Sequence, residues 1–300
     1  MNFRNTNSGI LLRRWIARWF FWPVYLFQYV DIYTKLFLAN KKQPLIIVLT
    51  IGKVGSSSVY YSLKEQVTKR IFHIHYLSEN GIKTSWAEHK LSSRKSVPLH
   101  LITSLILSKL LKKTDHKYYI ITVFREPIQR KISSFFQNLD KYKEGITLEG
   151  LSFDSNKVEQ ILNDSYFLNN SNEEDLWINN ELINPFGFLV YQKSEIQKND
   201  FLIEKTENVE LLILKMENLN KSFSKSASTF LNLDKTIVLK TYNDGAEKYY
   251  KKEYKKFKVN FKLERETLKV LCETNYFSTF YGELESIIFK TWGKLKQKKI

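Results

Sequence analysis

Residues Gly52-Lys53-Val54-Gly55-Ser56-Ser57-Ser58 place two glycines, a lysine and three hydroxyls directly after the apolar run Leu45-Ile46-Ile47-Val48-Leu49-Thr50-Ile51. Glycine admits positive φ and close approach of the main chain to a ligand, so successive N–H groups in such a turn converge on an anion. Phosphate or sulfate suits this chemistry. Lys53 adds a compact positive charge, and the serines cap the following helix or bond anion oxygens. A nucleoside-triphosphate loop places its lysine after the second glycine; here Lys53 precedes Gly55, which weakens that reading. The plain alternative is a Gly-Ser turn with no ligand.

A second segment offers another anion site. The apolar run 117–124 ends at Arg125-Glu126-Pro127, and proline favours a first helical turn. The spacing predicts a helix with Ile128, Ile132, Phe135, Phe136 and Leu139 on one face and Gln129, Arg130 and Ser133 on the other. Arg125 and Ser133 then present a charged fork and a hydroxyl at one end of a sheet, fit for a second phosphate. The alternative is an arginine that only pairs with Glu126. Between the two segments, the strand 70–76 sets His73 and His75 on one face. His75, nearer the strand's end, is the expected general base, because imidazole titrates near neutral pH. His73 is read as a histidine held by a backbone partner, and Glu79 is a further candidate base. No metal is expected, since five histidines and one cysteine show no ligand spacing beyond His-x-His.

The elements that must position these groups alternate. Strands at 44–50, 70–76, 117–124 and 209–215 are separated by helices near 56–69, 99–113, 126–141 and 218–232, the pattern of a parallel sheet covered on both faces. Ligands in such sheets gather at the carboxyl ends of the strands. Residues 142–176, rich in Ser, Asn, Asp and Glu with a helix near 155–168, read as an insertion carrying acceptor contacts. The stretch 245–297 reads as a helical cover, with Tyr249, Tyr250, Tyr254 and Phe257 at helical spacing.

Composition narrows the class. Lys+Arg 47 against Asp+Glu 31 leaves a formal +16 in 300 residues, a field that draws polyanions. No zinc-finger, basic-zipper or RNA-motif pattern accompanies it, so nucleic acid is not the expected partner. A single cysteine, Cys272, excludes an internal disulfide framework, and a cytoplasmic location is expected. Residues 1–42 hold Arg4, Arg13, Arg14, Arg18, Lys35, Lys41 and Lys42 against Asp31, among many aromatics. The uncharged stretch between Arg18 and Asp31 is too short to span a bilayer. The segment either lies in the headgroup region of an anionic leaflet or packs on the core by its aromatic face.

The two anion segments together resemble the nucleotide-binding elements of sulfotransferases that use 3′-phosphoadenosine 5′-phosphosulfate (PAPS), in which an arginine and a serine eight positions later hold the 3′-phosphate. More closely, the chain is similar to a bacterial family of capsular polysaccharide synthesis proteins. It shares residues 52–58, His73-Ile74-His75, 124–136, the segment 177–191 and the closing aromatics Phe280, Tyr281 and Trp292. Ile178-Asn179 and Phe188-Leu189 depart from that family's pattern, on the acceptor side.

The resemblance implies a three-layer, P-loop-like α/β fold over 43–297, with 1–42 as a separate N-terminal segment. It also implies an acceptor-side insertion at 142–198, a C-terminal helical cover at 243–297, and PAPS as sulfuryl donor without a metal. On this reading Gly52, Lys53, Val54, Gly55, Ser56, Ser57 and Ser58 hold the 5′-phosphosulfate, and Arg125 and Ser133 hold the 3′-phosphate. Lys248 closes over the nucleotide, Lys53 meets the developing charge, and Glu181 is the runner-up to His75 as base. The acceptor is a hydroxyl of a surface glycan or its lipid-linked precursor, reached from the inner face of the membrane. Two rivals stay open: a nucleotide kinase or NTPase, with Glu217 as its metal-binding acid, and a non-enzymatic basic scaffold at the membrane.

Overall fold

A computed structural model of the chain describes residues 21–91, 97–113, 117–138, 155–192, 196, 200–242 and 251–294. Lys248, Tyr249, Tyr250 and Leu139, with residues 1–20 and 142–154, lie outside the described residues.

The chain runs from helix α1 (Phe21–Tyr33) through a wide turn (Thr34–Leu38) into strand β1 (Ile46–Leu49), the glycine turn, and α2 (Ser56–Gln66). Then come β2 (Ile71–Ile74), α3 (Glu79–Leu91), α4 (Leu99–Leu111), β3 (Tyr118–Phe124) and α5 (Pro127–Gln137). After α6 (Ser155–Ile161), α7 (Glu173–Ile178) continues through a wide turn (Asn179–Ile183) to Phe186. Strands β4 (Phe201–Lys205) and β5 (Val209–Lys215) precede α8 (Leu219–Phe230). Helices α9 (Lys251–Asn260), α10 (Arg265–Cys272), α11 (Asn275–Tyr281) and α12 (Glu285–Trp292) follow.

The sheet is mixed and mostly parallel, in the order β2-β1-β3-β5-β4, with β4 antiparallel to β5. Every residue of β1 and of β5 is buried, as expected of strands covered on both faces. Register aligns the strand ends. Val48 pairs with Ile121, so continuing that pairing brings Gly52 level with Arg125, while Phe124 pairs with Lys215. The C-terminal helices close over this edge through Phe124, which meets Tyr276 and Phe280 edge-on at 5.3 and 4.6 Å. Phe136 of α5 meets Tyr254 and Phe257 of α9 at 5.2 and 5.4 Å.

Two elements depart from the sequence expectation. β4 is short and half exposed at the sheet edge, so its side chains give a weak alternating signal. α3 carries little apolar periodicity, and its start is fixed by polar contacts: Ser78 Oγ accepts from Gly81 N at 2.9 Å, and Glu181 holds Ser78. The close approach at Gly81 leaves no room for a side chain. An added Cβ would sit 1.9 Å from Glu181 Oε1, so Gly81→Ala is expected to cost about 1–3 kcal/mol by disrupting a buried carboxylate's bonds. Urea unfolding checks this, and an unchanged midpoint would refute it.

Candidate functional site

Lys53 adopts φ +74° and Gly55 φ +78°. A left-handed conformation at a residue with a Cβ costs on the order of 1 kcal/mol and gathers at functional turns. A Cβ on Gly52 would meet nothing within 4 Å, so the turn encloses open space. α2 starts on Gly55 with no side chain capping it, which leaves its N-terminal N–H groups and dipole directed at the same space.

The three serines divide their tasks. Ser56 Oγ lies 2.8 Å from His73 Nε2, and Ser58 Oγ accepts from Tyr242 N at 3.0 Å and donates to Tyr242 O at 3.2 Å. Ser57 has no side-chain partner among the described residues. Val54 is fully buried, so it offers a ligand only its backbone.

Arg125 follows β3, and its Nη1 donates to the Lys53 carbonyl at 3.0 Å. The guanidinium is thus joined to the glycine turn on the neighbouring strand. Glu126 turns away from it: this carboxylate caps α5, accepting from Ile128 N at 2.9 Å and Gln129 N at 3.0 Å. Burial pushes the Glu126 carboxyl up to about 7. Tyr276 fixes the Arg125 backbone, its hydroxyl accepting from Arg125 N at 3.0 Å and donating to Arg125 O at 2.8 Å.

Gln129, Ser133 and Gln137 stand at four-residue spacing on α5 and share one side of it. Lys53 Nζ donates to Gln137 Oε1 at 2.5 Å at one end, and Lys258 Nζ donates to Gln129 Oε1 at 2.8 Å at the other. Burial and the nearby Arg125 lower the Lys258 ammonium from its ordinary value. Two cations crowded together in this way favour a shared anion. Lys258 was not anticipated from sequence, because only the packing of α9 against α5 brings it to Gln129.

Arg130 was expected beside Gln129 and Ser133, and the structure corrects this. Its side chain is 1% exposed, where Arg130 Nε donates to Glu174 Oε1 at 2.7 Å and Nη2 reaches Glu173. Lys131 Nζ donates to Glu174 Oε2. Asp175 holds the start of α11, accepting from Tyr276 N at 2.7 Å and Asn275 N at 3.0 Å. The acidic run Glu173-Glu174-Asp175 therefore ties α7 to α5 and to the start of α11.

His73 of β2 and His75, just past its end, have their rings 5.6 Å apart. His75 Nδ1 lies 2.7 Å from the Thr50 carbonyl oxygen. A carbonyl only accepts, so Nδ1 carries the hydrogen and Nε2 keeps its lone pair. Trp177 Nε1 donates to His75 O at 2.8 Å and pins that backbone. The His100 ring stands 5.3 Å from His75, a neighbour the sequence reading missed because it arrives on a separate element, α4. Burial lowers His75, against the Thr50 hydrogen bond, and drives His73 to about 3.

Glu181 and Glu79 are not joined to this group. Glu181 is fully buried and accepts from Leu77 N at 2.6 Å, Ser78 N at 2.8 Å and Ser78 Oγ at 2.7 Å; burial raises its carboxyl. Glu79 is exposed and paired with Lys83 at 2.7 Å. Glu217 accepts from Glu126 N at 2.8 Å and Tyr281 OH at 3.2 Å. A separate cavity of about 580 Å³, lined by Ser78, Asn80, Tyr118, Asn180, Asn184 and Phe186 among others, contains none of the anion-site residues.

A glycine turn, the cations Lys53, Arg125 and Lys258, and the imidazole of His75 therefore gather at the carboxyl ends of neighbouring strands. No curated protein and no solved structure matches the chain. Residues 150–282, a little under half of the chain and C-terminal to both anion segments, match the family model NKWYS, described as "Putative capsular polysaccharide synthesis protein".

Proposed function

We infer that the protein is a PAPS-dependent sulfotransferase on a P-loop-like fold, acting on a hydroxyl of a capsular or other surface glycan or its lipid-linked precursor. The observation that carries this reading is the hydrogen bond from Arg125 to the Lys53 carbonyl, which makes the two cationic cradles neighbours. Their combined chemistry suits a ligand with phosphate at two separated points. The family match supplies the polysaccharide context.

Bound PAPS supplies an activated sulfuryl group. The glycine turn, Lys53 and Ser57 hold the anion at the donor end, and Lys53 also meets negative charge on the leaving oxygen. Arg125, Ser133 and Lys258 hold the second phosphate. His75 Nε2 accepts the proton of the acceptor hydroxyl, and Thr50 keeps the other nitrogen protonated throughout. Glu217 weighs against the kinase reading, because its oxygens already serve a backbone N–H and a tyrosine hydroxyl.

Thermal unfolding with adenosine 3′,5′-bisphosphate, compared with ATP, each with and without a chelator, tests the reading. At a hundredfold excess over Kd the bisphosphate is expected to stabilise by about 2.7 kcal/mol, with no effect of the chelator. A response to Mg-ATP alone would overturn it in favour of a kinase. Arg125→Ala is expected to weaken bisphosphate binding about 10- to 100-fold through loss of charge-assisted hydrogen bonds.

A further inference from the structure

α1 packs one side against α4, where Thr103 Oγ1 donates to Gln28 Oε1 at 3.2 Å and Ile32 and Leu36 are fully buried. Its other side is a band of large apolar side chains in water: Trp22 74% exposed, Leu26 62%, Phe27 70% and Val30 55%, with Leu38, 70% exposed, at the end of the wide turn that follows. Scattered exposed hydrophobics are ordinary, but a contiguous band on one helix marks a contact surface.

The band holds no charge. Asp31 and Lys35 are the charged residues of 21–38, and they pair with each other at 2.6 Å beside the buried face. The surrounding sequence is basic. Residues 1–20 contain Arg4, Arg13, Arg14 and Arg18 with no acid, and exposed Lys41 and Lys42 follow. No helix among the described residues is long and apolar enough to cross a membrane.

We propose that α1 lies flat in the headgroup region of an anionic bilayer, with Trp22, Leu26, Phe27 and Val30 inserted toward the acyl chains. An apolar stripe flanked by cations and rich in aromatics is the pattern of an interfacial helix. A second copy of the chain fits less well, because the sequence on both sides of α1 is strongly basic and two copies would repel each other.

Co-sedimentation of the full chain with vesicles of phosphatidylcholine and phosphatidylglycerol (3:1), against phosphatidylcholine alone, tests this. Binding is expected to favour the anionic vesicles and to weaken with salt. The triple change Leu26→Ser, Phe27→Ser, Val30→Ser is expected to reduce partitioning about tenfold or more while leaving the unfolding midpoint in place, since these side chains face water. The pair Lys41→Glu and Lys42→Glu gives an independent reading and should weaken binding to anionic vesicles alone. Wild-type protein indifferent to both vesicles, or a triple variant that binds as well as wild type, overturns the proposal. So does light scattering that shows a wild-type dimer converted to monomer by the triple change. No nucleotide enters the assay, so its outcome is independent of the sulfotransferase reading.

Discussion

Glu174→Ala will lower the stability of the fold by about 3–5 kcal/mol, because it leaves buried Lys131 without its carboxylate and buried Arg130 with Glu173 alone. Arg130 and Lys131 are 1% and 0% exposed, and Glu174 contacts both. Desolvation works to raise the Glu174 carboxyl, but Arg130 and Lys131 overcome it and hold the group below the usual carboxylate range. Glu173 reaches only Arg130, and its side chain is 41% exposed, so Glu173→Ala should cost far less.

The sign of the pH dependence follows. A carboxyl depressed in the native state stabilises above its unfolded pKa, about 4.3, and that contribution fades as pH falls through the native value. Wild-type protein should therefore lose stability in acid more steeply than Glu174→Ala does. Urea unfolding between pH 3 and 7 measures both. A change below about 1 kcal/mol at pH 7 would mean that the two cations are rehydrated without their partner.

The larger effect on turnover is expected at His75. Removing a positioned general base costs about 10²- to 10⁴-fold, so His75→Ala should retain the bisphosphate-induced thermal shift while losing sulfuryl transfer by that factor. His73→Ala should reduce activity far less, because its ring nitrogen is engaged with Ser56. The base must be neutral to act, and burial lowers His75 from its ordinary value. The acid limb of the rate profile should therefore fall below pH 6.5, the ordinary imidazole value. A limb at or above that value, or full turnover by His75→Ala, would place the base elsewhere.

The same lowered values affect folding. His73 titrates at about 3 in the native state, so unfolded chains bind more protons between there and 6.5, and stability should decline as pH falls through that window.

Local chemistry was legible where a property depends on neighbours in sequence. The strands β1, β2, β3 and β5 are largely apolar runs ending near glycine, histidine, arginine and lysine-methionine, which made them plain. The glycine turn announced itself by composition, as did Pro127 at the first turn of α5. β4 and α3 gave weaker signals, since an edge strand and a helix held by polar contacts need little apolar periodicity.

Amino-acid order alone settled which residues sit at strand ends and where the backbone turns at glycine, because backbone freedom at glycine and the period of a strand are local. Only tertiary packing decided partners. Arg130 looked like a surface residue until α7 brought Glu173 and Glu174 to it, and Glu181 looked available until it met the start of α3. Lys258 reaches Gln129 across more than a hundred positions of sequence, and His100 reaches His75 from helix α4. A charge is defined by what surrounds it, and those surroundings come from chain segments whose order says nothing of their final distance.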